Sequence, residues 1–265
     1  MKFDHNFNLI NKTKSSRIYE CDNTLARLDF IDKTAIRVAL YKKGAQMLPT
    51  FTISPDNNLS HTGRDKLSSN GFKMYEPIED EKDGKEIFKL ENGIEISLDL
   101  HNFLLSYYKN GKRIFADRAP LAYNIDDEFG QGAYHYISRF DDEEIFGLGD
   151  KSGKINKRGK TYRIETADSM GYDAENTDPL YKHVPFYICK NDVQTYGIYY
   201  DTSNTSFIDL GREINNYYEH FKFFKSDDDY LVYYVFFGDT LSVLQQYNRL
   251  CGKQAFPPKW SFDYC

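Results

Sequence analysis

The chain has 265 residues, a formal net charge of −6 and an aromatic share of 16%, with 22 Tyr, 20 Phe and a single Trp. That length can bury a full core without disulfides or a structural metal, and rings in such number suit half-buried pleated surfaces better than long helices. The charge is dispersed rather than gathered in a basic stripe, which excludes the clustered Lys and Arg that binding to a phosphate backbone needs.

From the beginning, Met1 to Tyr19 mixes Lys, Asp and Asn with single apolar residues and has no apolar run long enough for a signal peptide or membrane span. A cytoplasmic protein without a membrane partner is expected. Cys21, Cys189, Cys251 and Cys265 are far apart and form no C-x-x-C pair, so they are read as free thiols, with no metal and no cofactor indicated. Ala35 to Tyr41 puts Ile36, Val38 and Leu40 on one face of a strand, and Phe51 to Ile53 is a shorter candidate. Glu76 to Glu86 is charged and carries Pro77 and Gly84, which predicts a solvated loop.

Two Asn-Gly pairs then mark hairpins, because type I′ turns need positive φ at both central positions. Ile87 to Glu91 and Ile94 to Leu100 flank Asn92-Gly93; Phe103 to Tyr108 and Lys112 to Phe115 flank Asn110-Gly111. Further strands are predicted at Tyr134 to Phe140, Thr161 to Thr166, Pro185 to Cys189, Thr195 to Tyr200, Thr205 to Leu210, Tyr217 to Phe224 and Tyr230 to Phe237. Many short antiparallel strands make an all-β sandwich or barrel. One helix is predicted: it starts at a cap on Asp239 or Thr240, carries Leu241, Leu244, Tyr247 and Leu250 at helical spacing, and stops at Gly252. Pro257-Pro258 then imposes an extended segment.

Several segments in order resemble one family. They are Phe146-Gly147-Leu148-Gly149-Asp150-Lys151-Ser152-Gly153, Lys157-Arg158-Gly159, Ala167 to Asp173, Asp178-Pro179-Leu180-Tyr181, Pro185-Phe186-Tyr187, Tyr196 to Asp201, the capped helix and Pro257-Pro258-Lys259-Trp260. The chain is similar to the amino-terminal domain of glycoside hydrolase family 31, the α-glucosidase and α-xylosidase family, in detail from Asp142 onward and in pattern before it. The resemblance implies a galactose-mutarotase-like β-sandwich of two antiparallel sheets over 1–238. A linker helix and the start of a (β/α)₈ barrel would follow over 239–265. It also implies a barrel lying beyond Cys265, so the chain is expected to be inactive by itself. A retaining glycosidase needs two carboxyls about 5–5.5 Å apart, and barrels hold such pairs at the ends of rigid strands. No catalytic residue is therefore assigned to this chain.

By the same resemblance Asp168 matches a sandwich-loop aspartate that hydrogen-bonds sugar hydroxyls over the barrel mouth; an ionised acceptor gives such bonds strength and direction. The alternative is a loop Asp capping a turn. Met170 and Tyr172, on the same Gly-, Asp- and Asn-rich loop, are candidates to line a substrate subsite, with packing as the alternative for Tyr172. Gly147-Leu148-Gly149 is read as a turn needing positive φ rather than a phosphate loop, since no strand-loop-helix unit surrounds it. Arg158 and Gly159 are expected to open a strand. The histidines at 5, 61, 101, 135, 183 and 220 show no ligand spacing. Phe256, Trp260 and the helix are expected to pack on the barrel.

The leading expectation is thus a scaffold and substrate-rim domain of a retaining α-glycosidase. Its partners would be the barrel of the same polypeptide and a small oligosaccharide or α-glucoside. Two others stand beside it: a free-standing aldose epimerase, which needs a His acid and a Glu base facing one pocket, and a carbohydrate-binding module with exposed aromatics.

Overall fold

The computed structural model describes residues 4–58, 60–127, 130–214, 217, 220–253 and 256–262. The chain opens with four strands, β1 (Asn8–Lys12), β2 (Ser16–Cys21), β3 (Thr24–Asp32) and β4 (Ala35–Lys42). A meander follows: β5 (Ile78–Lys82), β6 (Lys85–Lys89), β7 (Ile94–Asp99), β8 (Leu104–Lys109) and β9 (Lys112–Ala116). Next come β10 (Tyr123–Asp127), β11 (Gly130–Ser138), β12 (Glu144–Gly149), β13 (Thr161–Ile164) and β14 (His183–Lys190). The last strands are β15 (Thr195–Tyr200), β16 (Ser206–Asp209), β17 (Phe221–Ser226) and β18 (Tyr230–Gly238), before the helix α1 (Thr240–Cys251).

An eight-stranded sheet has the order β1-β2-β3-β4-β18-β15-β14-β12, and two five-stranded sheets have the orders β10-β11-β17-β16-β13 and β5-β6-β7-β8-β9. The two small sheets meet at an isolated bridge between Asp117 and Ile137. Opposite them, Leu28, Val38, Tyr196, Ile198 and Val235 of the large sheet share one core with Ile96, Leu105, Phe115, Ile137 and Phe224. The expected sandwich is present, with its second layer split in two.

The other face of the large sheet is also covered. Ala39, Tyr199, Val232, Tyr234 and Phe236 pack with Ile53, Val243 and Leu250, and with the half-buried Leu67 and Phe72. This explains why β18 reads YLVYYVFFG, with eight buried residues in succession: a strand covered on both faces has no polar side to present to water. Burying each large side chain there contributes about 1.5–3 kcal/mol before ordering costs.

Asp239 caps α1, its Oδ1 accepting from Ser242 N at 2.7 Å, as expected. The helix lies on the sandwich through Val243 and Leu250, and Tyr247 stacks on Phe186 with ring centroids 4.1 Å apart. Its far side keeps Leu241 and Leu244 exposed, and beyond it Phe256, Trp260 and Phe262 are exposed as well.

Four local expectations need correction. Residues 76–86 are not one loop: the exposed β5 pairs with β6 in a hairpin whose turn residues Asp83 and Gly84 both have positive φ, as an Asp-Gly type I′ turn requires. At Asn92-Gly93 only Gly93 has positive φ, and the Leu90–Ile94 pairing encloses a longer loop; Asn110-Gly111 is the I′ turn expected. Residues 51–53 form no strand, because Thr50 bridges Arg64 and Ser54 N is taken by the helix carbonyl of Leu250. Gly147-Leu148-Gly149 has positive φ throughout, yet it is a bulged strand end rather than a turn. Added Cβ atoms at the two glycines would lie 2.6 Å from Phe186 O and 2.4 Å from Lys182 O, so β14 passes too close for any side chain.

The strand expected from Tyr217 begins at Phe221, and residues 218 and 219 lie outside the described residues. Arg158 and Gly159 lie in the turn that precedes β13. Cys21, Cys189 and Cys251 are free thiols, and Cys265 lies outside the described residues.

Candidate functional site

The candidate residues lie on the connection between β13 and β14. Asp168 is exposed there, Met170 is 84% and Tyr172 55% exposed. A side chain so placed contributes little to the core.

The base of this loop is fixed by one buried cation. Lys151 Nζ donates to Asp178 Oδ1 at 2.7 Å, to Arg163 O at 2.5 Å and to His183 Nδ1 at 3.2 Å. The other carboxylate oxygen of Asp178 accepts from Arg163 N at 2.6 Å. Because His183 Nε2 donates to Leu180 O at 2.7 Å, its Nδ1 is left as the acceptor that Lys151 uses. Burial lowers the pKa of Lys151, and Asp178 opposes that shift. Burial likewise lowers that of His183, which keeps the imidazole neutral.

Further out, the loop is organised by its own side chains. Asp173 Oδ1 accepts from Glu175 N and Asn176 N at 2.7 and 3.0 Å, and Thr177 Oγ1 accepts from Asp173 N at 2.8 Å; Asp173, not Asp168, is the turn-capping aspartate. Ser169 Oγ donates to Pro179 O at 2.6 Å, and Tyr181 OH donates to Ser169 O at 3.1 Å. Lost hydration, then the charge and hydrogen bonding of Asp168, raise the pKa of the Tyr181 phenol, with Tyr172 adding to the effect. Asp168, Tyr172 and Tyr181 therefore form one polar and aromatic surface. Tyr181 and Lys151 escaped the sequence reading as site residues, although both stand in the segments that carried the resemblance.

Other residue types suited to chemistry are sealed in the interior. His135 Nε2 is 2.9 Å from Asp117 Oδ1 and its Nδ1 is 3.0 Å from Tyr200 OH. Tyr123 OH donates to Asp117 Oδ2 at 2.7 Å, and Tyr233 OH lies 2.7 Å from Tyr123 OH. Lys222 Nζ donates to Glu143 Oε2 and Tyr196 OH, each at 2.7 Å, and to Cys189 Sγ at 3.4 Å. His135, Lys222 and Glu143 are each at most 1% exposed. Burial acts against the charge on Lys222, but Cys189 and Glu143 outweigh it and raise its pKa. Burial pushes the Cys189 thiol up to about 11, so the sulfur faces Lys222 as a thiol at neutral pH. Neither group can meet a sugar without opening the core, so both serve to order it.

Against known proteins, residues 25–209 match the glycosyl hydrolase 31 N-terminal galactose mutarotase-like domain. The chain belongs to this family. Alpha-glucosidase 2 of Bacillus thermoamyloliquefaciens is 23% identical over 270 residues, covering 98% of this chain and 30% of that protein. The alpha-glucosidase of Saccharolobus solfataricus is 31% identical over 124 residues, 46% of this chain and 17% of that one. A Flavobacterium johnsoniae GH31 dextranase, solved in complex with isomaltotriose, superposes with a TM-score of 0.78 at 23% identity, over 98% of this chain and 30% of its own. This family 31 domain thus spans less than a third of the length of these relatives, in their amino-terminal part. Among the described residues no helix is long and apolar enough to cross a membrane.

Proposed function

We propose that the domain is the non-catalytic scaffold and substrate rim of a retaining α-glycosidase, most simply an α-glucosidase, that hydrolyses terminal α-linked sugars. In this reading 1–238 is the sandwich and 239–265 leads into a barrel of the same polypeptide that supplies both catalytic carboxyls. The observation that carries it is the 165–182 loop, where an exposed Asp168 carboxylate stands above a base pinned by the buried Lys151. A pinned base carrying an exposed carboxylate is the arrangement by which loops on a scaffold hold a ligand hydroxyl. Met170 and Tyr172 would flank the sugar, and Leu241, Leu244, Phe256 and Trp260 would be covered by the barrel. The α-glucosidase names of two relatives support the choice of substrate class. A reducing, cytoplasmic setting fits the unpaired thiols Cys21, Cys189 and Cys251.

The test is hydrolysis of a chromogenic α-glucoside. The 265-residue chain alone should release no product, whereas a polypeptide continuing into a barrel should. In the latter, Asp168→Ala should lower kcat/KM about 10- to 100-fold, the loss of one charge-assisted hydrogen bond to substrate. Turnover by the short chain, or an unchanged kcat/KM in the variant, would overturn the proposal. An aldose epimerase is less well supported, because His135 is paired with Asp117 inside the core and Glu143 with Lys222.

A further inference from the structure

At the tip of the β2–β3 hairpin the fold brings together three side chains that the sequence keeps apart. His5 lies just before β1, and its backbone is fixed on both sides, with His5 N donating to Asn102 Oδ1 at 3.0 Å and Asn102 N donating to His5 O at 2.7 Å. Cys21 ends β2, and Asp22 opens the turn with a φ of 51°. One ligand atom from each of His5, Cys21 and Asp22 lies within 4.8 Å of the other two, and Cys21 Sγ is 3.8 Å from Asp22 Oδ2. The three border a cavity of about 320 Å³. Ligand atoms on one tetrahedral zinc ion are roughly 3.3–3.8 Å apart, from bond lengths of about 2.0–2.3 Å. Small rotations of the three side chains would close the remaining gap of about 1 Å.

We propose that His5, Cys21 and Asp22 form a binding site for a divalent transition-metal ion of the zinc class. The imidazole is a borderline donor and the thiolate a soft one, which together favour zinc over calcium or magnesium, and zinc also takes a carboxylate oxygen. On binding, the Cys21 S–H bond breaks, its proton leaves to solvent and an S–metal bond forms, with no change of oxidation state. The two anionic ligands then balance the ion's charge. Three protein ligands leave a fourth position open toward the cavity, where water completes the tetrahedron. Lys42 lies in the same cavity wall, its Nζ donating to Thr24 Oγ1 at 3.3 Å, so its charge is held on the adjacent strand pair.

The site is separate from the 165–182 loop. Both lie at the same end of the large sheet, but β3 and β14 are four strand spacings apart, about 19 Å. Its natural consequence is to staple the amino-terminal residues to the β2–β3 turn.

Titration of the reduced, chelator-stripped full chain with Co(II) tests the site. One equivalent should produce a thiolate-to-cobalt charge-transfer band and the intense visible bands of tetrahedral cobalt, and Zn(II) should displace both. Cys21→Ser should abolish the charge-transfer band, while Cys251→Ser should leave it intact. His5→Ala and Asp22→Asn should each weaken binding by more than about tenfold; Asn tolerates the left-handed backbone at 22, so that variant keeps the turn. Absence of a band in the unsubstituted chain, a band that survives Cys21→Ser, or unaltered affinity in His5→Ala with a native circular dichroism spectrum would each overturn the proposal.

Discussion

The interior charges and the rim charges of this domain obey opposite economies. Lys222 and Glu143 are sealed from water and answered by each other, Tyr196 and Cys189, whereas Asp168 stands exposed, its charge and hydrogen bonding acting on Tyr181. Lys151 joins the two regimes: its ammonium is buried, yet its partner Asp178 belongs to the loop. The contrast teaches where a substitution should be read as stability and where as recognition.

The largest effect expected is alkaline unfolding. Burial raises the phenol pKa of Tyr162 from 10.0 to about 12 and those of Tyr107, Tyr123, Tyr187, Tyr196 and Tyr233 well above 10.0. Raised folded-state values mean that the folded chain holds more protons than the unfolded chain above pH 10. The stabilisation is complete below pH 10 and is lost as pH climbs toward 12 and beyond, by up to about 1.4 kcal/mol per pH unit for each such tyrosine. Phenolate absorbance and far-UV circular dichroism should therefore change together; tyrosinate appearing while the fold persists would break the interior half of the contrast.

Next in size, Lys222→Met strands the Glu143 carboxylate in the core and should cost about 3–5 kcal/mol in urea unfolding. A third measurement compares the two sides of α1. Leu250→Ala should cost about 2–5 kcal/mol, but Leu241→Ala, on the exposed side, should stay within about 0.5 kcal/mol. Equal losses would mean that both sides are packed. Smallest is the rim pair: Lys151→Met, which strips the buried partner from the partly exposed Asp178, should cost about 1–3 kcal/mol and speed proteolytic cleavage within 165–182, while Asp168→Ala should leave the unfolding midpoint in place. A destabilised Asp168→Ala would move that residue to the structural side of the divide.

The sequence makes part of this legible, for physical reasons that can be named. The β7–β8–β9 meander is visible because Ile94, Ile96 and Leu98 alternate with polar residues and the Asn-Gly pairs punctuate it; α1 is visible through its cap and spacing. The strands β2 and β3 show no such pattern because they carry Arg17, Arg27 and Asp29 in or beside the core. Asp29 is answered by Ser16, Arg27 and Arg37, and Arg37 also donates to the carbonyls of Lys66, Leu67 and Ser68. Such compensation exists only in the folded chain, so no local pattern announces it. β12 hid behind its glycines, and β1, wholly exposed, has no apolar face to betray it. At the rim, motif resemblance drew attention to Asp168, but the strut beneath it became visible only when Lys151 met Asp178. His5 and Cys21 lie 16 positions apart, a spacing that matches no ligand motif, and a hairpin and the neighbouring Asn102 bring them together.

The place of β18 in the large sheet has a consequence for how the chain is made. Tyr230 pairs with Tyr41 on one side of it and Tyr233 with Tyr200 on the other, so the last strand of this sheet in chain order sits between the first four strands and the β15-β14-β12 group. At about 5–20 residues per second, the stretch between Tyr41 and Tyr230 takes roughly 10 to 40 s to emerge. Throughout that interval β4 presents an open edge, and Ile53, Leu67 and Phe72 lack the cover that Tyr234, Phe236 and α1 later give them. Nascent chains halted before residue 230 should therefore be bound by chaperones that recognise exposed apolar strands, and released once β18 has cleared the ribosome.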